Sequence, residues 1–231
     1  MGREWSSPLP PGPLCCLVTD RHRLATLSDQ GLAALVSLVG AAAHSGVNLI
    51  QIRERDLDDR SLCDLVRWCV RVTEGTETRV LVNDRVDVAL AGGADGVHLR
   101  SDSPSASRVR EIVPPRFVVG RSVHGTREAE SAAAEGALDY LIAGTTFATD
   151  SKPAGTELLG LDGLHAIVNC VKLPVLAIGG ATGETAAAIA GTGAGGVAAI
   201  GMFSGIGIDT RGLEDVVRSI RRSFETFGRV G

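Results

Sequence analysis

The chain has 231 residues, 44% of them hydrophobic, 22% charged and 3% aromatic, with a formal net charge of −4. That length buries a sizeable core and allows one large α/β domain or two small ones. Lysines, arginines and acids are mixed along the chain, so it has no broad basic field for a nucleic-acid backbone, and the scarce aromatics leave few stacking platforms for single strands.

Residues 1–13 hold four prolines and no apolar signal core, and read as a flexible arm preceding one domain over 14–231. Leu14 to Thr19 is apolar enough for a buried strand, and Gln30 to His44 for a helix that Gly46 stops. Val47 to Arg53 reads as the second strand, ending in the charged cluster Arg53-Glu54-Arg55. A helix from Asp58 to Val72 follows, with Leu62, Leu65, Val66 and Cys69 at helical spacing. Arg79 to Asp84 is a third strand with a polar end, then a short helix over Asp87 to Leu90, and Asp95 to Leu99 is the fourth strand. Ser105 to Ile112 forms a helix before Pro114-Pro115.

The fifth strand begins at Phe117-Val118-Val119 and leads through Gly120-Arg121-Ser122-Val123-His124 into a helix that runs to Glu135. Leu138 to Ala143 is the sixth strand, followed by an unusually long loop, Gly144 to Gly160, and a helix over Leu161 to Cys170. Pro174 to Ile178 and Gly196 to Ile200 supply strands seven and eight, with helices over Glu184 to Ala190 and Leu213 to Phe224. The long uncharged run Ala186 to Ser204 is broken by glycines into a helix end, a turn and a strand, which argues against a membrane span.

Eight strand-then-helix units without a hairpin signal imply a parallel sheet, and right-handed crossovers close eight of them into a single (β/α)8 TIM barrel. The rival is a doubly wound open sheet, but its G-x-G-x-x-G turn is missing after the first strand. The five cysteines form no CxxC pair and read as reduced, packed thiols of a cytoplasmic protein.

In such a barrel the polar strand ends converge on one face, so Gln51, Arg53, Glu54, Asn83, Asp84, Ser122, His124, Thr149 and Lys152 can share a site. Gly179-Gly180 and Gly201 follow strands seven and eight, where barrels commonly bind phosphate through backbone N–H groups; the bland alternative is tight turns. Asp84 and Asp102 are candidate Mg2+ ligands, since that cation needs only one or two carboxylates beside substrate phosphates. Asp102 equally suits a helix N-cap, and Asp84 a pairing with Arg53. His124 can exchange protons near neutral pH, whereas His98 reads as a core or turn histidine, and His22, His44 and His165 as surface or helix-packing residues.

Gln51-Ile52-Arg53-Glu54-Arg55, Val82-Asn83-Asp84-Arg85, Ala94 to Leu99, Thr149-Asp150-Ser151-Lys152-Pro153 and Ala177-Ile178-Gly179-Gly180 together make the chain resemble the thiamine phosphate synthase and TenI superfamily. The resemblance implies a barrel acting in thiamine biosynthesis on a small-molecule thiazole phosphate, with no nucleic-acid or membrane partner and with room for a homo-oligomer. Its synthase branch implies Mg2+-assisted coupling of a pyrimidine diphosphate to the thiazole phosphate. Gln51, Arg53 and Asn83 would then contact the diphosphate substrate, Asp84 and Asp102 would face the metal, and Thr149, Ser151 and Lys152 would hold phosphate oxygens. Arg55, Ser103, Arg121-Ser122-Val123 and Gly201 depart from that branch. Arg53-Glu54-Arg55 and Gly120-Arg121-Ser122-Val123-His124 instead resemble the TenI branch, metal-free thiazole tautomerases in which His124 would be the general acid/base beside Ser122, with the phosphate on Gly180, Ile200 and Gly201 and Lys152 closing over the site. A binding protein without turnover is the third reading.

Overall fold

The computed structural model describes residues 8–24, 31–149 and 155–227. Eight strands pair in chain order and all in parallel: β1 (Leu14–Val18), β2 (Leu49–Ile52), β3 (Arg79–Asn83), β4 (Gly96–Leu99), β5 (Val118–Val123), β6 (Tyr140–Gly144), β7 (Val175–Ile178) and β8 (Gly196–Ala199). Pairing of β1 with β8 closes the barrel, Leu14 against Gly196 through Leu17 against Ala199. The outer ring is α1 (Gly31–His44), α2 (Asp59–Val72), α3 (Val86–Gly92), α4 (Ala106–Arg110), α5 (Thr126–Ala134), α6 (Gly160–Cys170), α7 (Ala186–Gly191), α8 (Gly201–Ser204) and α9 (Thr210–Phe227). This is the (β/α)8 TIM barrel read from the sequence.

Two further elements escaped that reading because each is about one turn long: a 3-10 helix over Arg21–Arg23, and α8 directly after β8. The helices form where apolar spacing meets a start signal. In α2, Asp58 caps the N-terminus by accepting from the Ser61 N–H at 2.9 Å, while Leu62, Leu65, Val66 and Cys69 are buried. Asp102 caps nothing: α4 starts after Ser105 instead.

Strand parity divides the core in two. Leu14, Cys16, Val18, Leu49, Leu81, Val118, Tyr140, Ile142, Leu176 and Ala198 fill the barrel interior. The alternate residues, Cys15, Leu17, Ile50, Val80, Val97 and Val119 among them, pack outward against the helices. The same alternation fixes the site, because continuing each inward row to the strand's C-terminal end leads from Leu49 to Gln51, from Leu81 to Asn83, from Gly96 to His98 and from Val118 to Ser122. Beneath the barrel, Leu9 of the N-terminal arm packs against the interior cluster, and the Pro8 carbonyl accepts from Arg79 Nε at 3.2 Å. Among the described residues, no helix is long and apolar enough to cross a membrane.

Candidate active site

A cavity of about 1110 Å³ opens at the C-terminal ends of the strands. Its floor is formed by Val18, Gln51, Asn83, His98, Ser122, Ile142, Ile178 and Ala199, and its rim by Asp20, Arg23, Arg53, Arg55, Arg100 and Asp102 with the 179–183 loop. The floor is therefore uncharged, part apolar and part hydrogen-bonding, and the rim carries most of the charge. Such a division suits a molecule with an aromatic ring at one end and an anion at the other.

On the floor, Gln51 Nε2 donates to Asn83 Oδ1 at 2.9 Å, which orients both amides from neighbouring strands. The His98 ring lies between Tyr140 Oη and Ser122 Oγ, each 2.9 Å from one ring nitrogen. Burial pushes the imidazole down to about 3, with the Arg121 guanidinium adding repulsion, so the ring is neutral at physiological pH. His98 is thus a core histidine, as read from the sequence, and at the same time part of the cavity wall.

At the rim, Arg53 is half-buried, and desolvation, followed by repulsion from Arg55, lowers its pKa. Among the described residues it has no direct ion-pair partner, although the Asp20 and Glu54 carboxylates act on it from a distance, so its N–H groups are open to an incoming anion. Its backbone is fixed from below: Arg53 N–H donates to Thr19 Oγ1 at 2.9 Å, and that hydroxyl donates to Glu54 Oε1 at 2.7 Å. Glu54 is 4% exposed and also binds Arg21 at 2.9 Å. The sequence grouped Glu54 with the site, but its parity turns it outward from the cavity, and it braces the β1 and β2 ends.

Asp84 and Asp102 converge on a third residue. Arg100 grips Asp102 through two hydrogen bonds, at 2.8 Å and 2.5 Å, and its Nη1 lies 3.7 Å from Asp84 Oδ2. Asp84 also accepts from the Ser103 hydroxyl. Its partners are therefore Arg100 and Ser103 rather than Arg53. Asp84 adopts a left-handed backbone, φ +63°, a conformation aspartate tolerates better than most residues, and donates its N–H to the His98 carbonyl at 2.9 Å. Two carboxylates and a hydroxyl are hard oxygen donors that fit Mg2+ held jointly with substrate phosphates. Among the described residues there is no cluster of three or more acidic, histidine or cysteine side chains of the kind that binds a metal unaided.

His124 lies on the cavity wall just past β5. Its side chain is 53% exposed, and Nδ1 meets Glu128 Oε2 at 3.1 Å, one helical turn on. Thr149, Gly180, Ile200 and Gly201 also line the cavity. Gly180 has φ +61°, and a Cβ there would come within 2.5 Å of the Ala148 carbonyl oxygen. Close approach of the loop after β6 thus accounts for this glycine whether or not phosphate binds. Ser151 and Lys152 lie outside the described residues. The sequence reading missed Asp20, Arg23, Arg55 and Arg100 as cavity residues; the first two precede or belong to the 3-10 turn it did not foresee.

Comparison with known proteins bears on what this cavity holds. Residues 15–203 match the family TMP-TENI, described as thiamine monophosphate synthase. The thiamine-phosphate synthase of Roseiflexus castenholzii is 39% identical over 199 residues, covering 86% of this chain and 84% of its own. That of Caldanaerobacter subterraneus is 37% identical over 215 residues, covering 92% and 95%. The solved thiamine phosphate pyrophosphorylase from Pyrococcus furiosus superimposes with a TM-score of 0.75 at 32% identity, over 94% of this chain and 97% of that one. A 3-hexulose-6-phosphate synthase, at 17% identity and a TM-score of 0.66, shares the fold.

Proposed function

The chain belongs to the TMP-TENI family, described as thiamine monophosphate synthase, and on that premise we propose that it joins a hydroxymethylpyrimidine diphosphate to a thiazole phosphate and releases diphosphate. The observation that carries this reading is near full-length likeness, at 37–39% identity, to proteins named thiamine-phosphate synthase. None of these names supports the thiazole tautomerase expected from the residues around Ser122 and His124. The exposure of His124 and its tie to Glu128 also suit a wall residue better than a sequestered proton-transfer group.

The division of the cavity supports the same conclusion. The oriented amides of Gln51 and Asn83 offer one acceptor and one donor to a ring on the floor, with Val18, Ile142 and Ile178 supplying apolar contact. Arg53, Arg55 and Arg23 face the anionic end. As the bond between the ring-bearing carbon and the diphosphate oxygen breaks, negative charge grows on the leaving group, and guanidinium groups at the rim would stabilise that charge. In this reading the thiazole phosphate would lie against the cavity-lining backbone at Gly180 and Gly201, with its ring nitrogen toward the same carbon.

Asp84, with Ser103 and Asp102 beside it, would hold Mg2+ here, and the ion would neutralise charge on the diphosphate. For that, Arg100 must release Asp84 and Asp102. Purified protein supplied with the two substrates and Mg2+ is expected to form thiamine phosphate, with activity lost on chelation. Aromatisation of a thiazole carboxylate tautomer under chelation, abolished in His124→Ala, would instead establish the tautomerase.

A further inference from the structure

Tyr140 is the only tyrosine in the chain, and it lies completely buried inside the barrel. It reaches His98 across an intervening strand: His98 pairs with Gly120, and Gly120 with Tyr140, in register across β4, β5 and β6. The missing side chain at Gly120 makes room for the phenol ring, which occupies the place a Cβ there would take. Ser122, two residues farther along β5, faces the same way and meets the other nitrogen of His98. Tyr140, His98 and Ser122 thus form one hydrogen-bonded row from the dry interior to the cavity.

A neutral imidazole has one N–H and one lone pair, so the row has two possible directions. If Nδ1 carries the proton, it donates to Tyr140 Oη. The phenol proton is then buried without an acceptor, since among the described residues the hydroxyl meets only His98. If Nε2 carries the proton, the phenol donates to Nδ1, Nε2–H donates to Ser122 Oγ, and every buried donor in the row is satisfied. Buried polar groups are rarely left unpaired, so the second direction is favoured. Its consequence lies at the cavity end: with Ser122 Oγ already accepting from His98, the serine's own proton is free to point into the cavity.

We infer that Tyr140 and His98 are positioning residues that hold Ser122 as a hydrogen-bond donor, directed at an uncharged acceptor on the ring of the bound substrate. The direction of the row follows from the buried groups alone; its use in turnover rests on the synthase reading above. Tyr140 does not line the cavity, and His98, though part of its floor, has both ring nitrogens engaged within the row. Both act through Ser122, and Gly120 is the space that lets them do so.

The direction can be read without turnover. In protein labelled with 15N-histidine, His98 is assigned by elimination against glutamine variants of His22, His44, His124 and His165. The expected spectrum is a neutral ring protonated on Nε2, with an Nδ1 shift that moves in Tyr140→Phe as its hydrogen bond disappears. A proton on Nδ1 in the unaltered protein overturns the inference. Kinetics test the use. In thiamine phosphate formation, Tyr140→Phe should lower kcat/KM by about three- to tenfold, the value of one net hydrogen bond, and should have no further effect in a Ser122→Ala background. Independent, multiplicative losses would reduce Tyr140 to a packing residue and overturn its positioning role. If the unaltered protein forms no thiamine phosphate, the synthase reading fails, and the histidine spectrum still decides the direction of the row.

Discussion

Replacing Gly120 with alanine would put a methyl group 2.6 Å from Tyr140 Oη and closer still to ring carbons Cε1 and Cζ. Neither side can yield cheaply: Tyr140 is 0% exposed, and the glycine belongs to a strand paired on both sides. Overpacking of a filled core costs about 1–3 kcal/mol. A displaced ring would also break the phenol–imidazole bond, leaving two buried polar groups unpaired, at about 1–3 kcal/mol more. The variant should therefore lose roughly 2–6 kcal/mol, or about 4–24 °C in Tm for a domain of this size. Gly125→Ala is the control, since its φ is −171° and a Cβ there meets nothing within 4 Å; its cost is limited to that of alanine at the N-cap of α5, about 1 kcal/mol. Urea unfolding followed by circular dichroism measures both. Equal stability of Gly120→Ala and Gly125→Ala would refute the claim that β5 is hollowed to admit Tyr140.

Two further outcomes follow from the buried titratable groups. The folded value of His98 lies near 3, below its ordinary 6.5, so the unfolded chain takes up the proton first as pH falls. Stability held at neutral pH is then lost by about 1.4 kcal/mol per unit from just below pH 6.5 toward 3; an unfolding free energy that stays flat from pH 7.5 to 5 would contradict this. Burial pushes the Cys15 and Cys16 thiols up to about 12 and raises those of Cys69 and Cys170 as well, but Cys170, like Cys63, is only partly buried and so within reach of solvent. A thiolate reagent at pH 8 should accordingly modify Cys63 and Cys170 in the native protein and the other three only on unfolding, as mass spectrometry of the labelled peptides would reveal.

The barrel was legible because each strand is a short apolar run bounded by glycine, proline or charge, and the order of those runs left one economical closure. The floor of the cavity was legible in part for the same reason. Gln51, Asn83 and Ser122 interrupt apolar runs at their C-terminal ends, where two-residue periodicity keeps a side chain turned inward. His98 obeys that periodicity too, but with Val97 and Leu99 on either side it looks like core from sequence alone. Its role depends on Tyr140, 42 residues away, and on the gap at Gly120 between them. Glu54 was misplaced because charge suggested solvent or substrate, and only the fold reveals Thr19 and Arg21 closing over it. The partners of Asp84 were missed because Arg100 and Ser103 arrive from the loop after β4, a contact that no local spacing encodes. The choice of branch rested on two short stretches, Arg53-Glu54-Arg55 and Gly120 to His124, and on departures at Ser103 and Gly201, whereas likeness over 86–92% of the chain points to the synthases.

The central claim is tested most directly by comparing Asp84→Asn and His124→Ala in one assay of thiamine phosphate formation from the two substrates with Mg2+. The synthase account predicts turnover by the unaltered protein, a loss on the order of 100-fold in Asp84→Asn as charge stabilisation of the leaving diphosphate is removed, and substantial activity retained in His124→Ala. Full activity in Asp84→Asn together with its abolition in His124→Ala would contradict it.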